Sequence, residues 1–173
     1  QSGCDDTLHR MNRRYTSEEY RRVCRLLREK FPGCALTTDV MVGFPGEDED
    51  EFAQSLAFVQ AVGFAKVHIF AYSRRPGTPA AAAPGQVTAA EKSVRSRRMA
   101  AVCGTSREAY IADKCGTLAE VLLETRGEDG RLEGYTPDYL PVFVEADAGE
   151  PGELITVRLT APHGDGCLGE AVR

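Results

Sequence analysis

Residues Thr37 to Glu47 read Thr-Thr-Asp-Val-Met-Val-Gly-Phe-Pro-Gly-Glu, an apolar run that ends in a glycine turn and then in acids. That order is how a strand delivers its end to a bound cofactor. Gly43 has no side chain to hold a ligand off the backbone, Pro45-Gly46 turns the chain sharply, and the acids from Glu47 onward suit the positive end of a new helix. Arg13-Arg14 offers guanidinium forks shaped for a carboxylate or a phosphate, or is a solvated pair ahead of a helix cap, and both readings stay open. Asp39 stands inside the apolar run, where a buried carboxylate needs partners. His68 stands inside a later run, as a proton donor facing a cavity or, more ordinarily, as a core histidine with one hydrogen-bond partner. Helix-dipole stabilisation and solubility account for Glu47 to Glu51 without a metal. The six cysteines, at 4, 24, 34, 103, 115 and 167, are widely and irregularly spaced and read as mostly reduced and buried.

A chain of 173 residues with 42% hydrophobic content can build one packed domain or one and a half. No apolar run approaches the roughly 20 residues that cross a bilayer, and no charged-then-apolar leader precedes the first helix, so no membrane partner and a cytoplasmic location are expected. The net charge of −5 argues against a general nucleic-acid binder. The charge is uneven, however. Gln1 to Cys115 holds 17 Lys+Arg against 14 Asp+Glu, a balance of +3, whereas Gly116 to Arg173 holds 4 against 12, a balance of −8. Two pieces with different electrostatics are implied, 1–115 and 116–173.

The elements that position these residues follow from periodicity and caps. A helix starts near Asp5 or Asp6 with Leu8 and Met11 on one face. Thr16-Ser17-Glu18-Glu19 has the capping-box pattern and opens a helix to about Lys30, with Tyr20, Val23 and Leu27 as its apolar stripe, Arg21, Arg22, Arg25 and Arg28 on the wet side, and Pro32-Gly33 as its stop. Cys34 to Val42 reads as a parallel strand covered on both faces. A helix from about Asp48 to Val62 buries Phe52, Leu56 and Val59 and ends at Gly63. Phe64 to Tyr72 is the next strand, with Val67, Ile69 and Ala71 on one face and His68, Phe70 and Tyr72 on the other. Strand, helix, strand at this spacing means parallel neighbours with a right-handed crossover. Ser73 to Gly85 reads as a loop, and Thr88 to Glu91 is a capping box for a long helix that reaches Lys114. Beyond Gly116, five short strands, Leu118 to Thr125, Arg131 to Tyr135, Pro141 to Ala146, Leu154 to Thr160 and Cys167 to Val172, predict a small closed β-barrel of oligonucleotide-binding type. The fold class is thus α/β followed by all-β.

Four stretches resemble the radical S-adenosylmethionine (SAM) tRNA methylthiotransferases, in that family's order and over nearly the whole chain. Gln1-Ser-Gly-Cys4 with Leu8-His-Arg-Met-Asn-Arg-Arg-Tyr-Thr16 looks like the segment after the fourth barrel strand, and Thr37 to Glu47 like the fifth strand and its turn. His68-Ile-Phe-Ala-Tyr-Ser73 with Gly77-Thr78 looks like the sixth strand and the loop after it, and Leu132-Glu-Gly-Tyr-Thr136 with Tyr139-Leu-Pro-Val142 like the terminal TRAM domain. The resemblance implies the C-terminal half of a partial (β/α) radical-SAM barrel over 1–115 and a five-stranded OB-like TRAM barrel over 116–173. Cysteine rather than serine at Cys4 favours the branch that methylthiolates N6-threonylcarbamoyladenosine beside the tRNA anticodon.

The implied cofactors are SAM and two 4Fe-4S clusters of the full-length enzyme. A cluster passes an electron to SAM, the deoxyadenosyl radical takes hydrogen from the base, and sulfur and a methyl group follow. The family's C-x3-C-x2-C loop has no counterpart here, so neither cluster is expected to be ligated by this chain, no residue of it is expected to be catalytic or to bind metal, and alone it should be inactive. Family position places Gln1, Ser2 and Arg14 near the ribose and carboxylate of SAM, Val42, Gly43 and Phe44 near its adenine, and Phe70, Ala71 and Tyr72 against its other edge, at strand ends where barrel enzymes keep their chemistry. Arg74, Arg75, Arg131, Tyr135 and Tyr139 are the expected tRNA contacts, by charge or by base stacking. The rivals are the sister enzyme that modifies an aspartate of a ribosomal protein and a non-catalytic RNA-binding module.

Overall fold

A computed structural model of the chain describes residues 1–172. In order the elements are α1 (Asp5–Arg10), α2 (Ser17–Lys30), β1 (Thr37–Val42), α3 (Glu49–Val62), β2 (Lys66–Ala71), α4 (Pro79–Ala82), α5 (Ala89–Lys114), β3 (Leu118–Arg126), β4 (Leu132–Tyr135), β5 (Pro141–Val144), β6 (Leu154–His163) and β7 (Gly166–Ala171). They form two compact units that divide within α5, after Ser106.

In the first unit β1 and β2 are parallel, in register from Thr37 opposite Lys66 to Val42 opposite Ala71. The crossover is α3, whose ends are set locally. Asp48 and Glu51 exchange side-chain and backbone bonds in a capping box, and Gly63 closes the helix in the left-handed region at φ 63°. As expected, Phe52 and Val59 are buried, whereas Leu56 is half-buried and the core gains Phe58 and Val62. Val40, Val42, Phe64, Cys24 and Met99 complete that core.

Two expectations fail for one reason: helices cover a single face of the β1–β2 pair. The strand predicted from Cys34 begins at Thr37, and only Val40 and Val42 in it are buried. Thr37, Asp39, Lys66, His68 and Phe70 alternate onto the other face and are exposed. His68 is therefore no core histidine, and Asp39, opposite it in register, is solvated.

The Thr16 capping box of α2 is present. Its stripe is rotated from the predicted one: Val23 is 53% and Leu27 37% exposed, while Cys24 is buried and Tyr20 packs on the core. Arg21, assigned to the wet side, lies with its guanidinium 5.3 Å from the centre of the Phe58 ring. The segment after β2 holds a single helical turn, α4, where a loop was predicted; Thr78 Oγ1 caps it by accepting from Ala81 N at 3.3 Å. Helix α5 opens on the Thr88–Glu91 box as expected.

The second unit is a closed barrel in the order β3-β4-β5-β7-β6, antiparallel except where β5 meets β7. The five strands fall within a few residues of the predicted bounds. Alternate residues point inward, so Val121, Leu123, Leu132, Val142, Val144, Val157 and Leu159 are almost fully buried, with Ile111 of α5 and Cys167 in the same cluster. All six cysteines are free thiols, three buried and three half-buried. Cys115 and Cys167 both donate to Ile111 O, and burial together with the neighbouring Cys115 pushes the Cys167 thiol up to about 12. Among the described residues no helix is long and apolar enough to cross a membrane.

Candidate cofactor-binding site

The strand ends predicted to meet a cofactor come together. Val42 O accepts from Tyr72 N at 2.9 Å, which ties the end of β1 to the residue after β2. The Phe44 and Tyr72 rings then stack edge to face at 5.3 Å between centroids. Phe70 is 51% exposed and Ala71 is exposed. Tyr72 is 8% exposed, and its hydroxyl has no hydrogen-bond partner. An unsatisfied buried hydroxyl is costly, and a ligand atom at the strand ends would satisfy it.

Between the strands lies the turn Gly43 to Glu47. Gly43 takes φ 71°, and a Cβ there would sit 2.2 Å from Lys92 Cγ, so only glycine fits. The side-chain direction of Gly43 is thus filled by the Lys92 stem, and any ligand meets this residue from elsewhere. The Lys92 ammonium donates to Tyr72 O at 2.8 Å and lies 5.8 Å from the Tyr72 ring centre.

Glu47, read from sequence as one of five solubilising acids, is 5% exposed. Its carboxylate accepts the Gly43 N–H, and Arg95, 7% exposed, stands 3.4 Å from it while donating to Glu47 O at 2.9 Å. Burial pushes the Glu47 carboxyl up, and the Gly43 N–H and the Arg95 charge act against that rise. Nothing local in sequence signals the pair, since its partners are 48 residues apart.

The N-terminal residues assigned to the cofactor are more dispersed. Gln1 accepts from Met41 N at 2.9 Å and lines an open groove of about 390 Å³ with Arg13, Tyr15, Tyr20 and Thr37 to Asp39. Ser2 is buried, with its hydroxyl 3.2 Å from Cys4 N. Arg14 is exposed, and it is Arg13 that lines the groove.

Among the described residues, one group of thiol and carboxylate ligand atoms lies within 4.8 Å: Cys4, Asp6 and Glu51. Glu51 is engaged there by Arg10, whose hydrogen bond and charge bring its carboxyl down, and by Thr7. A single thiol beside an arginine-bound carboxylate is not the donor set of an iron–sulfur cluster, which takes several thiolates.

The predicted RNA contacts do not converge on one feature. Arg74 donates twice to Ala81 O, at 3.2 and 2.8 Å, and so braces its own loop, whereas Arg75 is exposed. Arg131 pairs with Asp129 and Glu145, and Tyr135 donates to Glu133 at 3.2 Å. Tyr139 is 80% exposed on a tight turn at φ 58°. That turn is held by Tyr139 N to Thr136 O at 2.9 Å and Leu140 N to Thr136 Oγ1 at 3.0 Å.

Two comparisons with known proteins bear on this geometry. Residues 1–59 match the Radical SAM superfamily. Over 170 residues the chain is 40% identical to the tRNA-2-methylthio-N(6)-dimethylallyladenosine synthase of Acidothermus cellulolyticus, an alignment that covers 94% of this chain and 34% of that protein. The chain therefore spans about a third of the length of the curated relative it matches.

Proposed function

We propose that the chain is the C-terminal third of a radical SAM tRNA methylthiotransferase, with part of the (β/α) barrel over 1–115 and a TRAM domain over 116–173. The observation that carries the reading is the orphaned Tyr72 hydroxyl at two joined strand ends, beside the Phe44 ring. SAM suits such a place, because an aromatic cluster can pack along one side of its adenine and a phenol can bond a polar edge. When bound, SAM supplies the deoxyadenosyl radical and the methyl group. This chain's residues would hold and orient it: Val42, Gly43 and Phe44 at one edge, Phe70, Ala71 and Tyr72 at the other, and Gln1, Ser2 and Arg14 towards ribose and carboxylate. The cluster ligands belong to other polypeptide of the same enzyme, and this chain alone is inactive.

The five-stranded barrel, with its single parallel β5–β7 contact, suits an OB-like TRAM module that docks tRNA. Its acidic balance leaves base stacking on Tyr139 as this unit's principal contact, and in the first unit Arg74 and Arg75 are the candidates for phosphate.

Cys4 supports threonylcarbamoyladenosine as the substrate base, while the relative's name points to dimethylallyladenosine. Assay of the full-length enzyme, reconstituted anaerobically, on tRNAs carrying either modification separates the two. Methylthiolation of threonylcarbamoyladenosine is expected. Activity on dimethylallyladenosine alone would move the chain to the other branch, and activity on a ribosomal protein or on nothing would end the tRNA reading.

A further inference from the structure

The turn from Gly43 to Glu47 lies outside any helix or strand and contains two residues of positive φ, Gly43 at 71° and Gly46 at 82°. Its own bonds are few: Glu47 N to Phe44 O at 2.9 Å and the Glu47 carboxylate to Gly43 N. Besides the Phe44 ring on Tyr72, contacts that fix it come from Gly85 to Arg95. Gly46 N donates to Gly85 O at 2.8 Å, and Arg95 reaches both the carbonyl and the carboxylate of Glu47. A carboxylate this deeply buried needs a cation to stay charged. Arg95 provides it, and so keeps a strong acceptor aimed at the Gly43 amide.

Lys92 lies three residues earlier, on the same face of α5. Its stem covers Gly43 and its ammonium is bonded to Tyr72 O. Two cations one turn apart thus hold the two strand ends, Arg95 through Glu47 and Lys92 directly. The salt bridge ends on Gly43 N through the Glu47 carboxylate, and the Lys92 ammonium ends separately on Tyr72 O.

We infer that Arg95 and Lys92 are positioning residues of the cofactor site: the first turns of α5 set the placement of the Gly43–Phe44 backbone and of Tyr72 against which the cofactor is read. This rests on the SAM-binding reading above and adds to it residues outside the strands.

The test uses the longest natural polypeptide that contains this chain, with R95M, E47Q and K92M compared with wild type. SAM affinity is read by equilibrium dialysis and amide exchange at Gly43 and Phe44 by mass spectrometry. Each variant is expected to weaken SAM binding about tenfold, the loss of one charge-assisted hydrogen bond. R95M with E47Q should be no weaker than the worse single change, because both act through one contact. Exchange at Gly43 should accelerate in R95M and E47Q with or without SAM. SAM affinity within about twofold of wild type, with unchanged exchange at Gly43, overturns the inference even if melting temperature falls. Faster exchange in a protein whose wild type binds no SAM would instead sink the SAM reading and leave the positioning role standing. Should R95M fail to fold, E47Q carries the same comparison with the side chain's volume kept.

Discussion

Lys114 Nζ lies 2.6 Å from Asp138 Oδ2, joining the last turn of α5 to the loop between β4 and β5. Tyr110 and Thr136 donate to the same carboxylate. Burial alone would push the Asp138 carboxyl up, but the donors Lys114, Thr136 and Tyr110 together outweigh it and bring it down to about 2. A carboxyl lowered from 3.8 when unfolded stabilises the fold above that pH and loses its contribution as pH falls from 3.8 towards 2. Urea unfolding of the second unit between pH 5 and pH 2 should show that loss, and D138N should flatten it while costing about 1–2 kcal/mol at neutral pH. An unchanged acid limb in D138N would count against the cluster as its source.

Glu51 has two tasks. It completes the Asp48 capping box and accepts from α1, through both guanidinium nitrogens of Arg10 and the Thr7 hydroxyl. Arg10→Ala removes only the ion pair of the second task and should cost about 0.5–1 kcal/mol, discounted for its partial exposure. Glu51→Ala removes both and should cost about 1 kcal/mol more. Chemical denaturation of the two variants side by side decides it, and equal losses would show that the cap contributes nothing.

Cutting Phe52 back to alanine should cost about 3–5 kcal/mol, since the side chain is fully buried under Arg95 and Arg98. Leu26→Ser on the exposed side of α2 should stay within about 0.5 kcal/mol. Thermal melts of this chain compare them directly. A large loss at Leu26 would mean that the exposed side of the helix is packed in solution.

Tyr139→Ala should leave melting nearly unchanged, because the ring is exposed and alanine meets the same positive-φ strain. If Tyr139 stacks on a base, the same variant should weaken tRNA binding by about 1–3 kcal/mol. Filter binding at several salt concentrations would distinguish this from Arg75→Ala, which should reduce the slope of affinity against salt. No change in affinity for Tyr139→Ala would remove the aromatic from the proposed interface.

The sequence disclosed what is decided within a few residues. Thr16 with Glu19, Thr88 with Glu91, and Gly63 after Val62 act over four positions or fewer, and each marks the helix end it was read to mark. The barrel strands were legible because inward residues alternate with outward ones. Contacts over long separations were not. Glu47 stands in a run of acids, and only after Asp48 and Glu51 are assigned to the cap is it left without a role that exposure would explain. The stripe of α2 was misread because Cys24 is less conspicuous than Val23 and Leu27. The alternation of His68 with its neighbours holds from Lys66 to Phe70 and breaks at the strand end, where Ala71 is exposed and Tyr72 buried, and periodicity does not say which face the helices cover.

The reciprocal pairs at Thr16, Asp48 and Thr88 need no tertiary scaffold, since every atom in them belongs to four consecutive residues. Three of this protein's helices therefore carry their own starting marks as they leave the ribosome, and two of them, α2 and α3, do so before β2 exists to pair with β1. Synonymous changes that alter the pace of translation should for that reason disturb sheet assembly far more than helix registration.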